Sequence, residues 1–403
     1  MSIRKTSFVL AVVAPGQGSQ TPGFLTPWLE LPHFKDRISW LGTVAGIDLV
    51  THGTVSDAET IKDTSIAQPL IASVGMVSLL ELFPNRGQAL QQVSVGAGHS
   101  MGEITAATAA HVLTAEQAMV FIRERANAMA LAASATPTGM TAVLGGHRPD
   151  VLAKIKEHGL TAANDNGGGQ IVAAGTLEEL QALANDPPEG ARIRPLQVAG
   201  AFHTKHMIPA AKTLAHHAKA ISTHDSRINL LSNADGTVVH DGRAVLRHLV
   251  RQVSNPVRWD LCMQTMLDLG VTGLVELPPA GILAGLAKRG MPGVEIFTLN
   301  TPDDLPAAAD FVAKHGTPSN IKDLPTWRVV LSPIKGTFER VCMEEAGTEL
   351  AENTRIGTIH ADGETYPVEA PYGGKIGEWL VTDGAEVNPG ELIVRLKPEV
   401  DAW

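Results

Sequence analysis

V-G-A-G-H-S-M-G-E, residues 95–103, is the stretch on which the fold turns. An apolar run at 93–98 ends in glycines, a serine sits between Gly98 and Gly102, and helix-forming residues follow from Ile104. G-x-S-x-G between a strand and a helix is the nucleophile-elbow pattern. The glycines allow a cramped backbone, and the hydroxyl of Ser100 then stands at the top of a sheet beside a helix N-terminus. The N–H of Met101, the next residue, is placed to stabilise an oxyanion.

Outward from this turn, short apolar runs alternate with helical stretches from residue 7 to about 300. Strands are expected at 8–14, 93–98, 171–175, 228–233, 273–277 and 295–299, and helices over 66–83 and 102–134. Strands alternating with helices imply an α/β fold with a parallel, hydrolase-like sheet, assembled from 7–135 and 201–312. Residues 136–200 break the pattern with a β-α-β-β-α-β order, which suggests a ferredoxin-like insert. Its Gly167, Gly168 and Gly169 read as a tight strand connection rather than a phosphate cradle, because no helix start follows. Four prolines and many polar residues across 300–327 suggest a linker with one short helix, and we expect the linker proper at 313–327.

Residues 328–400 differ in kind, with short β-rich runs, many glycines and no long helix. They repeat themselves: S-P-I-K-G-T at 332–337 matches A-P-Y-G-G-K at 370–375, and E-E-A-G-T-E-L at 344–350 matches V-T-D-G-A-E-V at 381–387. Two copies of one hairpin unit imply a small all-β barrel-sandwich.

Bulk properties exclude some function classes. A formal net charge of −10 leaves no basic footprint for nucleic acid and no attraction to anionic membranes. No segment reads as a membrane span, and the apolar N-terminal run reads as a buried first strand rather than a signal peptide. The two cysteines, Cys262 and Cys342, make neither a metal pattern nor a disulfide framework, as expected of a cytoplasmic protein.

A nucleophilic serine needs a base. His99 adjoins Ser100, but neighbours in a sharp turn point apart, so it is expected to pack or bond locally. Among fifteen histidines, His203 in G-A-F-H-T-K-H-M (200–207) follows an apolar stretch and opens a loop into a helix. His206, expected to face solvent, stays open beside it on composition alone.

Several motifs occur in the order seen in malonyl-CoA:acyl carrier protein transacylases: A-P-G-Q-G-S-Q (14–20), G-H-S-M-G-E (98–103), Arg125 in R-A-N-A-M, A-A-N-D-N-G-G-G-Q-I-V-A-A-G (162–175), G-A-F-H (200–203) and R-Q-V-S-N-P-V-R-W (251–259). E-L-P-P-A-G-I-L-A-G-L-A-K-R (276–289) resembles that family's C-terminal signature. The resemblance spans residues 7–300. It implies that Ser100 accepts the malonyl group and that His203 is its base. Gln17 would join Met101 in a backbone oxyanion hole, and Arg125 would pair with the malonyl carboxylate in a bidentate fit; without the resemblance, Arg125 reads as a solvated helix arginine like nearby Arg123. Gln252 would orient the histidine through its carbonyl, with Asn255 as the alternative. Phe202 before the histidine accompanies malonyl rather than methylmalonyl selection in related domains. Asn166, with Asn164, would line the pocket or cap turns.

The implied partners are malonyl-CoA and an acyl carrier protein. Such carriers are usually acidic, which makes Lys205, Arg258, Lys288 and Arg289 candidate contacts. The implied chemistry is ping-pong acyl transfer in fatty acid or polyketide synthesis, without metal or bound cofactor. Alternatives are transfer to a dedicated carrier of malonate decarboxylation, a serine hydrolase or thioesterase on the same elbow, and a scaffold whose working part is 328–400.

That last segment resembles biotinyl/lipoyl domains, best over 369–393. The hairpin that would carry the modified lysine reads T-I-H-A-D-G-E-T-Y-P-V-E-A-P (358–371), and the lysine position falls on Gly363. No lysine occurs between 336 and 374, so neither covalent biotin nor lipoate is expected.

Overall fold

Strand Leu10–Ala14 lies at the centre of a parallel sheet of five strands, ordered Glu295–Thr298, Gly273–Glu276, Leu10–Ala14, Val95–Gly98 and Asn229–Leu230. Its side chains alternate between two buried faces: Leu10, Val12 and Ala14 join one apolar cluster, Ala11 and Val13 another. Burial on both faces is why it reads as an unbroken apolar run. Each fully buried Val or Leu stabilises by roughly 1.5–3 kcal/mol. The run expected at 228–233 pairs only at Asn229–Leu230, because Leu231 turns to bridge Val238.

The computed structural model describes residues 8–85, 87–198, 200–319, 328–341, 346–351, 353–361, 363–370 and 374–397. Two compact units divide the chain near residue 322.

Helix Thr64–Leu82, capped by the Asp63 side chain, is buried along almost its whole length. By length and composition it is apolar enough to cross a membrane, contrary to the expectation that no segment was, but here that apolarity serves the core. The helix expected over 102–134 is two, Gly102–Ala109 and Ala115–Ser134. His111 turns the chain at φ 64°, and Thr114 starts the second helix with a capping box to Gln117. In this second helix Ala118, Ile122, Arg125 and Met129 share the buried stripe. Arg123 lies off that stripe and bonds Glu124 and the Val44 carbonyl.

Between residues 138 and 195 the chain runs β-α-β-β-α-β. Its strands stand in the order Ala191–Pro195, Thr138–Gly145, Gln170–Thr176, Thr161–Asp165, and Val257–Arg258 pairs with the last in parallel. Gly167, Gly168 and Gly169 all have positive φ in the connection from 165 to 170. The segment expected to be linker from 313 is helical through His315. It stays tied to the large unit at Thr317, which accepts from Ser94 and donates to the Phe8 carbonyl. Of the expected linker, 320–327 lies outside the described residues.

The smaller unit holds two four-stranded sheets around its own apolar core, which includes Phe338, Ile356, Ile376 and Ile393. One runs Glu364–Ala370, Thr354–Ala361, Gly336–Arg340, Glu386–Val387, the other Arg328–Leu331, Leu392–Lys397, Gly374–Trp379, Glu349–Leu350. The sequence repeat carries each strand of one sheet onto the strand at the same place in the other. Cys262 is buried and unpaired, and Cys342 lies outside the described residues.

Candidate active site

Ligand sites of parallel α/β sheets form at the carboxyl ends of the strands. Three chain segments converge there: the turn after Ala14, the elbow after Gly98 and the turn after Leu231. A Cβ on Gly98 would lie 2.0 Å from the Gly102 backbone, and one on Gly102 would lie 2.2 Å from the Ala14 oxygen. Both positions therefore require glycine. Ser100 sits between them at φ 52°, a left-handed conformation that a serine adopts only under constraint. The constraint is visible: its N–H donates to Asn233 Oδ1 at 2.8 Å, and its carbonyl accepts from Gln252 Nε2 at 2.9 Å.

His203 reaches Ser100 from a second strained position, φ 62°, with its own N–H on the Val253 carbonyl. Its Nε2 is 2.7 Å from Ser100 Oγ and its Nδ1 is 2.7 Å from the Gln252 carbonyl. A carbonyl only accepts, so Nδ1 carries the hydrogen and Nε2 is left to accept the serine proton. Burial, reinforced by the Arg125 charge, pulls the imidazole down to about 3, which keeps it neutral, with the Nε2 lone pair available. His206 is half-buried and stands outside this arrangement. His99 is not held locally as expected: its Nε2 meets Asn166 Oδ1 at 2.8 Å and its ring meets Trp259 edge-on.

Arg125 is 1% exposed. Its Nη1 donates to Gln68 Oε1 at 2.7 Å, and its Nη2 to Gln252 Oε1 at 2.9 Å and to Ser100 Oγ at 3.3 Å. Its Nε is buried without a partner among the described residues. Nε and Nη2 share one edge of the guanidinium, so an unpartnered donor, Nε, lies on the same edge as the nitrogen that faces Ser100. Burial pulls this guanidinium down to about 10, against the opposing charge of Glu103, and it stays cationic at neutral pH. Glu103 is itself buried in the first turn after the elbow. Burial pushes its carboxyl up to about 8, opposed by N–H groups from Asn233 and Gln252 and by Arg125.

The Gln17 side chain spans Lys62, Thr64 and Gln68, which holds its loop against helix Thr64–Leu82. Among the described residues the backbone N–H groups of Gln17 and Met101 take no partner. Phe202 is buried and, with Val198, Ala133 and Thr64, lines a groove of about 660 Å³. Asn166 lies one residue removed from Ser100, through His99. Both residues left for the histidine's support bear on it: the Gln252 carbonyl meets Nδ1 and the Asn255 backbone also faces the imidazole, while the exposed Asn255 side-chain amide donates to the Arg251 carbonyl. Of the expected carrier contacts, Arg258 is tied to Asp260, whereas Lys205, Lys288 and Arg289 are exposed.

Three participants were missed by sequence reasoning. Gln68 had a readable signal, a lone amide in a strongly apolar helix. Asn233 stands at the end of a strand-like run, and Glu103 follows the elbow directly, but neither pattern alone assigns a partner.

Comparison with known proteins adds independent findings. A family model described as acyl transferase domain matches residues 12–300. The malonyl CoA-acyl carrier protein transacylase of Mycobacterium tuberculosis (strain ATCC 25618 / H37Rv) is 46% identical over 302 residues, 75% of this chain and 100% of that one. Its namesake in Escherichia coli (strain K12) is 30% identical over 307 residues, 74% of this chain and 98% of that one. Among solved structures, a crystal structure of MCAT from Mycobacterium tuberculosis superposes with a TM-score of 0.72 at 46% identity, covering 75% of this chain and 99% of that one. A malonyl-transacylase in complex with its type II PKS acyl-carrier protein superposes with a TM-score of 0.70 at 27% identity, over 75% of this chain and 99% of that one.

Proposed function

The chain belongs to the acyl transferase domain family, and from that premise we propose that Ser100 and His203 perform its chemistry. The reaction is transfer of malonyl from malonyl-CoA to the phosphopantetheine thiol of acyl carrier protein. Ser100 Oγ attacks the thioester carbonyl while its proton passes to His203 Nε2. The oxyanion is held by the N–H groups of Met101 and Gln17. The C–S bond breaks, and coenzyme A leaves as the thiol with the proton from His203. The carrier thiol then attacks the malonyl-serine ester, again losing its proton to His203, and Ser100 is regenerated. The reaction uses a coenzyme A thioester and a carrier thiol, and we place it in the cytoplasm.

The observation that carries the malonyl reading is the buried Arg125 edge. A carboxylate fits Nε and Nη2 together, and acylation of Ser100 frees the Nη2 hydrogen that now points at its oxygen. A dry, cationic site of this kind rejects an acetyl group, which leaves the guanidinium unpaired. Phe202 crowds the space beside His203 and disfavours an α-methyl group. The test is intact-protein mass after malonyl-CoA and then after pantetheinylated carrier protein. An adduct that requires Ser100 and moves to the carrier supports the reading. An adduct lost only to water would make the protein a hydrolase.

We further propose that residues 328–400 adopt the biotinyl/lipoyl-like fold without its attachment chemistry. Interchange of its two sheets by the sequence repeat supports the fold. Gly363, at φ 82°, stands between strands Thr354–Ala361 and Glu364–Ala370, where a modified lysine would be presented. Intact mass from a biotin- and lipoate-replete host should match the unmodified chain.

A further inference from the structure

Gln252 meets both halves of the site at once. Its main-chain carbonyl holds His203 Nδ1, and its side-chain Oε1 accepts from Arg125 Nη2 at 2.9 Å. The amide nitrogen faces three acceptors: the Ser100 carbonyl, Asn233 Oδ1 and Glu103 Oε2. This surrounding dictates which way the amide points. Turned over, its oxygen would meet three lone-pair groups and its NH2 would meet a guanidinium. Gln252 is 6% exposed and Glu103 3%, so water is not at hand to repair such a mismatch.

Glu103 is pinned in turn, because its other oxygen accepts the Asn233 N–H at 3.2 Å. A carboxyl oxygen keeps a lone pair toward these donors whether or not the group is protonated, and an amide nitrogen has none. At the far end, Arg125 is held by two glutamine carbonyls, Gln68 on Nη1 and Gln252 on Nη2. Without the second, the guanidinium plane is free to swing about the first.

We propose that the Gln252 side chain, locked in one sense by Glu103, is a specificity-determining positioning group that aims the Nε–Nη2 edge of Arg125 at the carboxylate of the acyl group. One residue then serves selectivity with its side chain and the proton-transfer step with its main chain. The inference rests on reading Arg125 as the carboxylate clamp.

The experiment measures rates of Ser100 adduct formation by intact mass, with malonyl-CoA and acetyl-CoA, for the full chain and for Arg125→Ala, Gln252→Met and Glu103→Gln. Labelling of Ser100 by a neutral fluorophosphonate reports the serine–histidine pair alone. Gln252→Met keeps volume and the main-chain carbonyl. It should lower the malonyl-to-acetyl rate ratio by about tenfold or more, with a smaller loss of fluorophosphonate labelling. Glu103→Gln, which satisfies only one of its two N–H donors, should lower the ratio in the same direction and carries the test if Gln252→Met does not fold. If Arg125→Ala lowers the ratio and neither of the other variants does, the inference is overturned and the clamp reading stands. Loss of labelling as large as loss of malonyl loading would make Gln252 merely structural and also overturn it. A ratio unchanged in Arg125→Ala would overturn both.

Discussion

The sheet around Ser100 and the sheets of residues 328–397 are both made of short strands, yet they use their interiors differently. The first collects buried polar side chains at one edge: Gln68, Glu103, Arg125, His203, Asn233 and Gln252. The second buries an almost purely apolar set, with Ser332 and Thr358 the buried polar side chains among its described residues. Left-handed residues differ in the same way. In the large unit Ser100 and His203 bear it beside each other, held by hydrogen bonds. In the small unit it falls at turns, at Gly347, Asn353, Gly363, Gly384 and Gly390, and at Gly374 where a strand begins. A site is recognised here by strain and buried polarity at one place, and neither alone would mark it.

The contrast can be broken most directly at Ser100. Ser100→Ala should cut malonyl loading by at least about a thousandfold without unfolding the protein, seen by intact mass beside a melting curve. Loading that survives would place the nucleophile elsewhere. Next in size is Gly98→Ala, whose methyl would overlap the Gly102 backbone at 2.0 Å. A loss of more than about 3 kcal/mol in denaturant unfolding is expected. The parallel change in the small unit, Gly363→Ala, meets no atom within 4 Å and suffers only its positive φ. It should cost about 1 kcal/mol in the same measurement and leave transfer rates alone. Equal costs for the two glycines would erase the distinction drawn between elbow and turn.

The smallest effect expected is on the acid side of the pH–rate profile. An ordinary histidine, titrating near 6.5, would leave a base about thirtyfold depleted at pH 5. His203, held down to about 3 by burial and Arg125, stays neutral there. Fluorophosphonate labelling of Ser100 should therefore change less than about twofold between pH 7 and pH 5. A midpoint near 6.5 in that profile would show that water reaches the imidazole. Stability moves the other way: below about 6.5 the unfolded histidine takes a proton that the folded one refuses. The fold accordingly loses stability as pH falls from there toward 3, whatever the labelling rate does.

Much of this was legible because backbone demands are written locally. Glycines flank Ser100 because two backbones come too close for a Cβ, and apolar runs such as 10–14 mark strands buried on both faces. The repeat in 328–400 showed two equivalent halves, which the structure resolves as two exchanged sheets. Less legible was the break between residues 110 and 114, where a capping box inside a continuous helical pattern outweighs periodicity. The apolar helix Thr64–Leu82 was ambiguous for a related reason, since composition does not say whether lipid or protein covers it.

By itself the amino-acid sequence determined the elbow, the order of strands and helices, and the family whose motifs they carry. Tertiary structure alone decided which partners meet: that the Gln252 carbonyl meets His203 Nδ1, that Gln68 and Glu103 gather beside Arg125 and Gln252, and that Arg125 lies inside rather than on the surface. The reason is one of range. A turn is set by neighbours a few residues apart, whereas these hydrogen bonds join residues from 19 to 152 positions apart. Their partners are chosen only when the strand ends come together and water is excluded from between them.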